Sequence, residues 1–388
     1  MKKYSSRVLS FGQSTIDSMT SLCFKHNSLM LAAGTPGFDA SEKLKELAKK
    51  YIDKGHNQYT LNRGSKRLRE AISDVWQSSI GREIDAESEI TITCGATEAL
   101  LSVAMAVIDP GDKVVVFEPF YENFKNIVLL SGGIPVFVPL IPPLWEPDWT
   151  ELEKSAVGAK LLIINSPHNP TGSVLSDKSL EKIAKIAIEN DLFVLSDETY
   201  RSMVFDIEEP KSIASLPGMA ERTAVISSFS KIMTATGWRV GFFIAVPKFT
   251  EQIRKVHDFT SICAPAPFQD AIAEFLLSQD FKNYFARLLS DYREKRDILC
   301  DALDYAGFNF SIPAGAYYVF ADFSRIEPDF DDYQMAEYIA KDVGVCAVGG
   351  RAFFGNFRNG SKYLRFSFAR HFDEIGNAAE KIKLLKFK

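Results

Sequence analysis

The chain has 388 residues, of which 46% are hydrophobic and 24% charged, and its formal net charge is −5. This composition is typical of a globular protein and excludes a disordered chain or a small disulfide-stabilised one. At roughly 100–200 residues per domain, the length predicts two domains, or one large α/β body with a smaller one. The slightly acidic balance, without runs of like charge, predicts no nucleic-acid partner.

Five scattered cysteines, with no C-x-x-C pair, predict reduced thiols in a cytoplasmic protein and no metal site. The basic N-terminus is followed by a stretch, 8–13, that is too short and too polar for the hydrophobic part of a signal peptide. No apolar run approaches the ~18–20 residues that span a bilayer. We therefore expect no membrane partner.

Short β-branched runs alternate with amphipathic stretches from about residue 87, a pattern typical of βαβ crossovers and a mostly parallel sheet. Helices are predicted at 65–78 and 177–190, where apolar residues recur on one face. Segment 1–44 has little periodicity, and we expect it to pack onto the body. Seven strands are predicted: 89–93, 113–117, 134–138, 160–164, 192–196, 223–227 and 241–246.

The pattern changes after about residue 247. Long helices are predicted at 248–277 and 282–306, followed by strands near 316–322, 344–348 and 362–368. This change predicts a large domain at 45–277 and a smaller α+β domain. The small domain is expected to combine 1–44 with 278–388.

Polar residues follow the predicted strands, at the edge where open α/β sheets bind ligands. The turn Gly95-Ala96-Thr97 opens a helix whose free N–H groups suit a phosphate. Asn169 lies between two prolines, a rigid arrangement compatible with a cis bond to Pro170. Each feature alone is explained equally well by a turn, a cap or a surface residue. The other candidates at these strand ends are Tyr121, Asp197, Tyr200, Ser228, Lys231 and Arg239.

Taken together, these groups match the requirements of pyridoxal phosphate: a phosphate site, a stacking ring, a donor to the phenolic oxygen, an anion for the ring nitrogen and an amine. The sequences GATEAL (95–100), NPTG (169–172), SDETY (196–200) and SFSK to GWRVG (228–241) resemble, in order and spacing, motifs of the class I/II aminotransferases. These are fold-type I pyridoxal-phosphate enzymes. The resemblance runs from Gly34 to Phe366 and is greatest to the kynurenine aminotransferase, glutamine transaminase K and methionine aminotransferase branch.

This resemblance implies an α/β fold with a large domain, in which a mostly parallel seven-stranded sheet forms an α/β/α sandwich, and a smaller α+β domain. It also implies a role for each candidate. Lys231 would hold the cofactor as a Schiff base and then move the substrate proton, and Asp197 would keep the ring nitrogen protonated. Asn169 and Tyr200 would donate to the phenolic oxygen, and Tyr121 would stack on the ring.

For the phosphate, the resemblance implies the backbone of Gly95, Ala96 and Thr97, the hydroxyl of Ser228 and the guanidinium of Arg239. Tyr59 resembles the tyrosine that reaches the phosphate of the neighbouring subunit. A homodimer with shared active sites is therefore expected.

For the substrate, Arg365 resembles the arginine that binds the α-carboxylate, with Gly34 and Asn169 beside it. Ile16 and Thr97 stand where the kynurenine enzymes carry large aromatic residues. This difference favours methionine or another unbranched neutral side chain. Arg351 lies in a loop that usually contains proline in the family, which makes it a candidate for the pocket rim.

Aspartate-type enzymes recruit an arginine for the distal carboxylate, but the matching stretch 257–264 contains no Arg or Lys. The sequence therefore predicts an aminotransferase that moves the α-amino group of a neutral L-amino acid (methionine, glutamine, or an aromatic or kynurenine-like one) to a 2-oxo acid by a ping-pong mechanism. Two alternatives stay open on the same residues: a cysteine-S-conjugate β-lyase and an aspartate-type aminotransferase.

Overall fold

The computed structural model describes residues 4–9, 11 and 15–385. No helix within these ranges combines the length and apolar character that a membrane crossing requires. The α-helices are α1 (Ser6–Leu9), α2 (Thr15–His26), α3 (Glu42–Asp53), α4 (Lys66–Ile80), α5 (Gly95–Val107), α6 (Asn123–Leu130), α7 (Trp149–Ala156), α8 (Asp177–Glu189), α9 (Phe229–Ile232), α10 (Pro247–Thr260), α11 (Ala266–Leu276), α12 (Gln279–Tyr305), α13 (Asp332–Tyr338) and α14 (Phe372–Ile382).

The strands form three sheets. They are β1 (Leu29–Met30), β2 (Ile90–Thr93), β3 (Lys113–Glu118), β4 (Ile134–Ile141), β5 (Glu146–Pro147), β6 (Ala159–Asn165), β7 (Phe193–Asp197), β8 (Thr223–Ser228), β9 (Gly241–Ile244), β10 (Tyr318–Asp322), β11 (Val345–Cys346), β12 (Val348–Gly349) and β13 (Tyr363–Ser367).

The largest sheet has eight strands in the order β2-β9-β8-β7-β6-β3-β4-β5. Strands β4, β3, β6, β7 and β8 pair in parallel, whereas β9 is antiparallel to both of its neighbours. All seven predicted strands are present, so the mostly parallel sheet is confirmed. The eighth strand, β5, pairs only two residues with β4 and is too short to produce a sequence pattern.

Helices cover both faces of this sheet. Val114 and Val116 pack in a buried cluster with residues of α5, α6 and α10, whereas the alternate residues Val115 and Phe117 pack in a second cluster with residues of α7 and α8. Because side chains alternate across a strand, continuous apolar runs such as 114–117 require cover on both faces. This packing confirms the α/β/α sandwich.

The C-terminal part carries an antiparallel sheet, β10-β13-β12, and a short parallel pair in which β1 of the N-terminal segment joins β11. The prediction of one helix over 248–277 is wrong. Two helices, α10 and α11, occupy that stretch, since Pro265 and Pro267 have no N–H group to continue the first one.

Candidate active site

The residues that follow the strands converge on one cavity of about 260 Å³. The carboxyl ends of parallel strands meet at the same edge of a sheet, and this geometry brings together side chains distant in sequence. Members of the predicted set that line the cavity are Ile16, Gly34, Ala96, Thr97, Tyr121, Asn169, Asp197, Tyr200, Ser228, Lys231, Arg239 and Arg365.

One end of the cavity is the first turn of α5. The first N–H groups of a helix have no partner within it and favour an anion. Gly95 has φ +75°, and a Cβ there would lie 2.5 Å from an Nη atom of Arg239, so the guanidinium packs against the bare backbone. The Ser228 hydroxyl caps α9, accepting from the N–H of Ser230 at 3.1 Å. This end combines backbone donors, a hydroxyl and a cation.

Asp197 ends β7 and is 5% exposed. Its carboxylate accepts the N–H of Thr199 at 3.0 Å, and its backbone carbonyl accepts the Asn165 side-chain amide at 2.9 Å. Burial raises the pKa of Asp197 to about 6. A carboxylate with so few partners is suited to a cation that arrives with a ligand.

The Lys231 amine donates to the Gly34 carbonyl at 2.9 Å, and the same carbonyl accepts the Tyr317 hydroxyl at 2.7 Å. Burial lowers the pKa of Lys231, as do the positive charges of Arg365 and Arg239. A lysine with a lowered pKa is a candidate nucleophile and proton carrier near neutral pH.

Arg365, on β13, is 1% exposed. Its guanidinium donates to Oδ1 of Asn169 at 2.9 Å and to the Ala32 carbonyl at 3.1 Å, and it stacks over the ring of Tyr318 at 4.3 Å. Its Nε is buried without a hydrogen-bond partner among the described residues. A fixed and incompletely paired guanidinium is suited to binding a carboxylate.

Two phenols meet in the cavity wall: the hydroxyls of Tyr200 and Tyr318 lie 3.1 Å apart. Burial raises the pKa of Tyr200 well above its ordinary value. Burial opposes ionisation of Tyr318 too, but the charges of Arg365 and Lys231 and a hydrogen bond from Tyr200 outweigh it and lower the pKa of Tyr318. Burial, with Tyr318 nearby, raises the pKa of Tyr121 to about 12.

The structure bears on three further sequence predictions, which concern the Asn169–Pro170 bond, Tyr59 and Arg351. The Asn169–Pro170 bond is cis, as the flanking prolines indicated. Tyr59 is 78% exposed and lies outside the cavity lining. Arg351 is not at the cavity rim: it pairs with Asp331 at 2.8 Å and with the buried Asp332 at 2.6 Å, and thereby ties its loop to the start of α13.

Asn165, Thr199 and Tyr318 are among the lining residues for which the sequence had indicated no role. Asn165 and Thr199 had a usable signal, since both lie at the ends of strands that carry predicted residues. Tyr318 is the first residue of β10, and its place in the cavity depends on how β10 pairs with β13.

The residues present fit the cofactor that the motifs indicate. The bare backbone at Gly95 lets the Arg239 guanidinium lie against the start of α5, Asp197 is a buried carboxylate that no cationic side chain pairs among the described residues, and Lys231 lines the same cavity. An α/β/α fold whose cavity holds a lysine, a buried carboxylate and a buried, incompletely paired arginine is typical of pyridoxal-phosphate enzymes that act on the amino group of amino acids.

Comparison with known proteins agrees with this class. The family model described as aminotransferase class I and II matches residues 27–382. The chain is 33% identical to a kynurenine–oxoglutarate transaminase of Dictyostelium discoideum, over 100% of this chain and 97% of that one. It is 32% identical to a methionine aminotransferase of Escherichia coli, over 98% of each. The solved structure of N-succinyldiaminopimelate aminotransferase from Mycobacterium tuberculosis matches with a TM-score of 0.93 and 32% identity, over 99% of this chain and 100% of that one. The chain belongs to the class I and II aminotransferases.

Proposed function

We propose that the chain is a pyridoxal-phosphate-dependent aminotransferase that takes the α-amino group from a neutral L-amino acid and gives it to a 2-oxo acid. One observation carries the choice of a neutral donor. Among the described residues that line the cavity, the cationic side chains are Lys231, Arg239 and Arg365. Each has a task in binding the cofactor or the α-carboxylate, which leaves no cation of this cavity for a carboxylate on the substrate side chain, and the stretch 257–264, where aspartate-type enzymes have their arginine, contains no Arg or Lys.

The cofactor would be held at four points: its phosphate, its ring nitrogen, its phenolic oxygen and its ring face. The N–H groups of the turn 95–97, with Ser228 and Arg239, would bind the phosphate, and Asp197 would pair with the protonated ring nitrogen. The side-chain oxygen of Asn169 accepts from Arg365, so its NH₂ group remains available to donate to the phenolic oxygen of the cofactor. Tyr200 would be the second donor to that oxygen. Tyr121 would cover the ring face.

Bound pyridoxal phosphate supplies an electron sink that makes the hydrogen on the substrate Cα acidic. Lys231 is the residue that moves this proton: it lines the cavity, and its lowered pKa increases the share of the neutral amine. The Lys231 Nζ atom donates to the Gly34 carbonyl at 2.9 Å. An ionised Asp197 would favour the protonated form of the ring nitrogen.

Arg365 would bind the α-carboxylate, because two acceptors and the Tyr318 ring fix its orientation in advance. A preorganised guanidinium spends little free energy on ordering when the substrate binds. Ile16 and Thr97 on the cavity wall would contact the substrate side chain. Relatives named for methionine and kynurenine support a neutral donor.

We also propose that the active enzyme is a homodimer in which Tyr59 reaches the cofactor phosphate of the partner subunit. Tyr59, Leu61, Phe259 and Ile262 are 78%, 62%, 93% and 50% exposed. Their two segments are joined by a hydrogen bond of 2.7 Å between Asn62 and Asp258. These four side chains form an exposed apolar patch, and such patches commonly mark protein interfaces.

A donor comparison tests the proposed substrate class. With 2-oxoglutarate as acceptor, we expect kcat/KM for L-methionine to exceed that for L-aspartate by roughly 100-fold, because a distal carboxylate would be buried unpaired. The kcat/KM values for L-phenylalanine and L-kynurenine, measured in the same way, rank the neutral donors. A preference for L-aspartate would replace this proposal with the aspartate-type alternative.

A further inference from the structure

A buried ion pair lies behind the turn that faces the cavity. His257, on α10, is fully buried, and its Nδ1 lies 2.9 Å from Oε1 of Glu98. Its Nε2 lies 2.7 Å from the backbone carbonyl of Asn62. The Asn62 carbonyl can only accept, so Nε2 carries hydrogen, and the ionised Glu98 carboxylate can only accept as well, so Nδ1 also carries hydrogen. His257 is therefore an imidazolium.

Glu98 lies in the first turn of α5, directly after the 95–97 turn. Its carboxylate accepts the N–H of Cys94 at 2.9 Å and the hydroxyl of Ser102 at 2.9 Å, in addition to the bond from His257. Its side chain is only 10% exposed. A carboxylate at a helix N-terminus stabilises the helix, but it also repels any anion that binds to the same N-terminus.

Both members of the pair are held in their charged forms. Burial opposes the charge of Glu98, yet His257 and the N–H of Cys94 hold the pKa of Glu98 below its usual range. Burial likewise opposes the charge of His257, but Glu98, the Asn62 carbonyl and Asp258 raise the pKa of His257 above its ordinary value. Asp258, on α10 itself, is engaged by the Asn62 amide at 2.7 Å.

We propose that His257 is a positioning residue for the cofactor phosphate: its imidazolium neutralises Glu98 and joins the 95–97 turn to the segment that carries Asn62 and Tyr59. With Glu98 neutralised, the free N–H groups of the turn and Arg239 present a net positive field to the phosphate. Without His257, the carboxylate of Glu98 opposes that field. This inference rests on the proposed function, because it assigns the anion at the turn to the cofactor.

Titration of the full-length, cofactor-free protein with pyridoxal phosphate and with pyridoxal, followed by protein fluorescence, tests the inference. His257→Gln removes the charge and keeps an amide donor. We expect it to weaken binding of pyridoxal phosphate roughly tenfold and to leave pyridoxal, which lacks the phosphate, unchanged. Glu98→Gln should bind pyridoxal phosphate as tightly as the wild type or more tightly. The double variant should return to within about threefold of the wild type, since both charges are gone.

The variants separate a charge effect from a loss of structure. The inference is overturned if His257→Gln binds pyridoxal phosphate as the wild type does, if pyridoxal is weakened equally, or if the double variant binds as poorly as His257→Gln. Should His257→Gln fail to fold, Glu98→Gln decides alone: tighter or equal binding supports the inference, and weaker binding overturns it. A wild-type protein that binds no pyridoxal phosphate refutes the proposed function itself, and the inference with it.

Discussion

The guanidinium of Arg365 is oriented before any substrate arrives. Asn169, the Ala32 carbonyl and the rings of Tyr318 and Phe353, at 4.3 and 4.9 Å, surround it. A lysine at this position would keep the charge but lose the planar fork that pairs with a carboxylate through two hydrogen bonds. Replacing Arg365 by lysine therefore removes the oriented pair of donors and keeps the positive charge.

Arg365→Lys is expected to lower kcat/KM about 100-fold, mainly through KM, for every amino donor alike. The reason is that all donors share the α-carboxylate. Steady-state kinetics with L-methionine, L-phenylalanine and L-kynurenine measure the effect, and Arg358→Lys, at an exposed arginine, is the control. A loss confined to one donor would reassign Arg365 to the substrate side chain.

Asp197 illustrates a side chain that opposes folding until its partner is bound. Burial raises its pKa to about 6 from 3.8. A pKa raised on folding stabilises the fold below the unfolded value, and this contribution is lost as the pH rises through the folded value. The ionised carboxylate therefore destabilises the cofactor-free protein above about pH 6.

Asp197→Asn should accordingly raise the unfolding free energy of the cofactor-free protein by up to about 3 kcal/mol at pH 8 and by little at pH 4. Urea unfolding at the two pH values measures this difference, with the exposed Asp304→Asn as control. A difference that does not change with pH would contradict the account. In the cofactor-loaded protein the sign should reverse, because asparagine cannot pair with a protonated ring nitrogen.

Among the residues of the site, the sequence predicted the side chains that lie at strand ends and missed those that depend on tertiary pairing. Asp197 ends β7, and Lys231 lies three residues after β8, so the sheet alone predicts the edge at which they lie. Tyr318 enters the cavity through the pairing of β10 with β13, which no local pattern specifies. The same holds for His257, which sits inside α10 and finds Glu98 and Asn62 from distant parts of the chain.

The meeting of β9 with the start of α5 shapes the phosphate end of the cavity. A Cβ at Gly241 would lie 2.5 Å from the carbonyl carbon of Gly95 and 2.6 Å from the N atom of Ala96. Both contacts are to backbone, which cannot rotate away as a side chain would. The close approach of the two elements therefore requires glycine at position 241.

Gly241→Ala is expected to cost about 1–3 kcal/mol of stability, the usual range for overpacking. It should also weaken binding of pyridoxal phosphate, because the 95–97 turn must move. Gly237→Ala, where an added Cβ meets nothing within 4 Å, is the matched control in the same segment. Equal stability and affinity in the two variants would show that the close approach is not required.

The types and positions of helices and strands were predictable wherever apolar residues recur with a regular period. The seven strands of the large sheet were located to within a few residues, because β-branched runs end at polar or glycine residues. The strand predicted near 344–348 is present as two strands of two residues each, β11 and β12, whereas β5, also of two residues, gave no pattern. The break between α10 and α11 was missed because apolar residues continue through 262–264, although Pro265 signals it.

Over the whole molecule, one buried cluster joins residues from the N-terminal segment, the large sheet and the C-terminal part, including Met19, Val115, Leu299 and Val345. We propose the division into 45–277 and 1–44 with 278–388 on the change of element pattern, which the separate sheet β10-β13-β12 supports. The cavity draws Ile16, Gly34 and Arg365 from one side of that division and Lys231 and Asp197 from the other.

The exposed apolar patch predicts self-association. Phe259→Glu should convert a dimer into a monomer and abolish transamination, because Tyr59 could no longer reach a partner phosphate and a buried charge would oppose docking. Light scattering after size-exclusion chromatography measures the mass. Phe24→Glu, at a phenylalanine that is 76% exposed on α2, is the control. A fully active monomer would contradict the shared active site.

We expect Lys231 and Arg365 to serve amino transfer and not elimination. The test adds L-methionine or, in a parallel sample, a cysteine S-conjugate to the cofactor-loaded protein without any oxo acid, while the absorbance spectrum, free ammonia and pyruvate are followed. With both compounds we predict conversion of the cofactor from its aldehyde to its amine form, one oxo acid released per active site, no ammonia, and no change in Lys231→Ala. The S-conjugate carries its leaving group on Cβ, whereas the sulfur of methionine is on Cγ, so continuous release of ammonia and pyruvate from the S-conjugate would contradict this prediction and identify the β-lyase alternative.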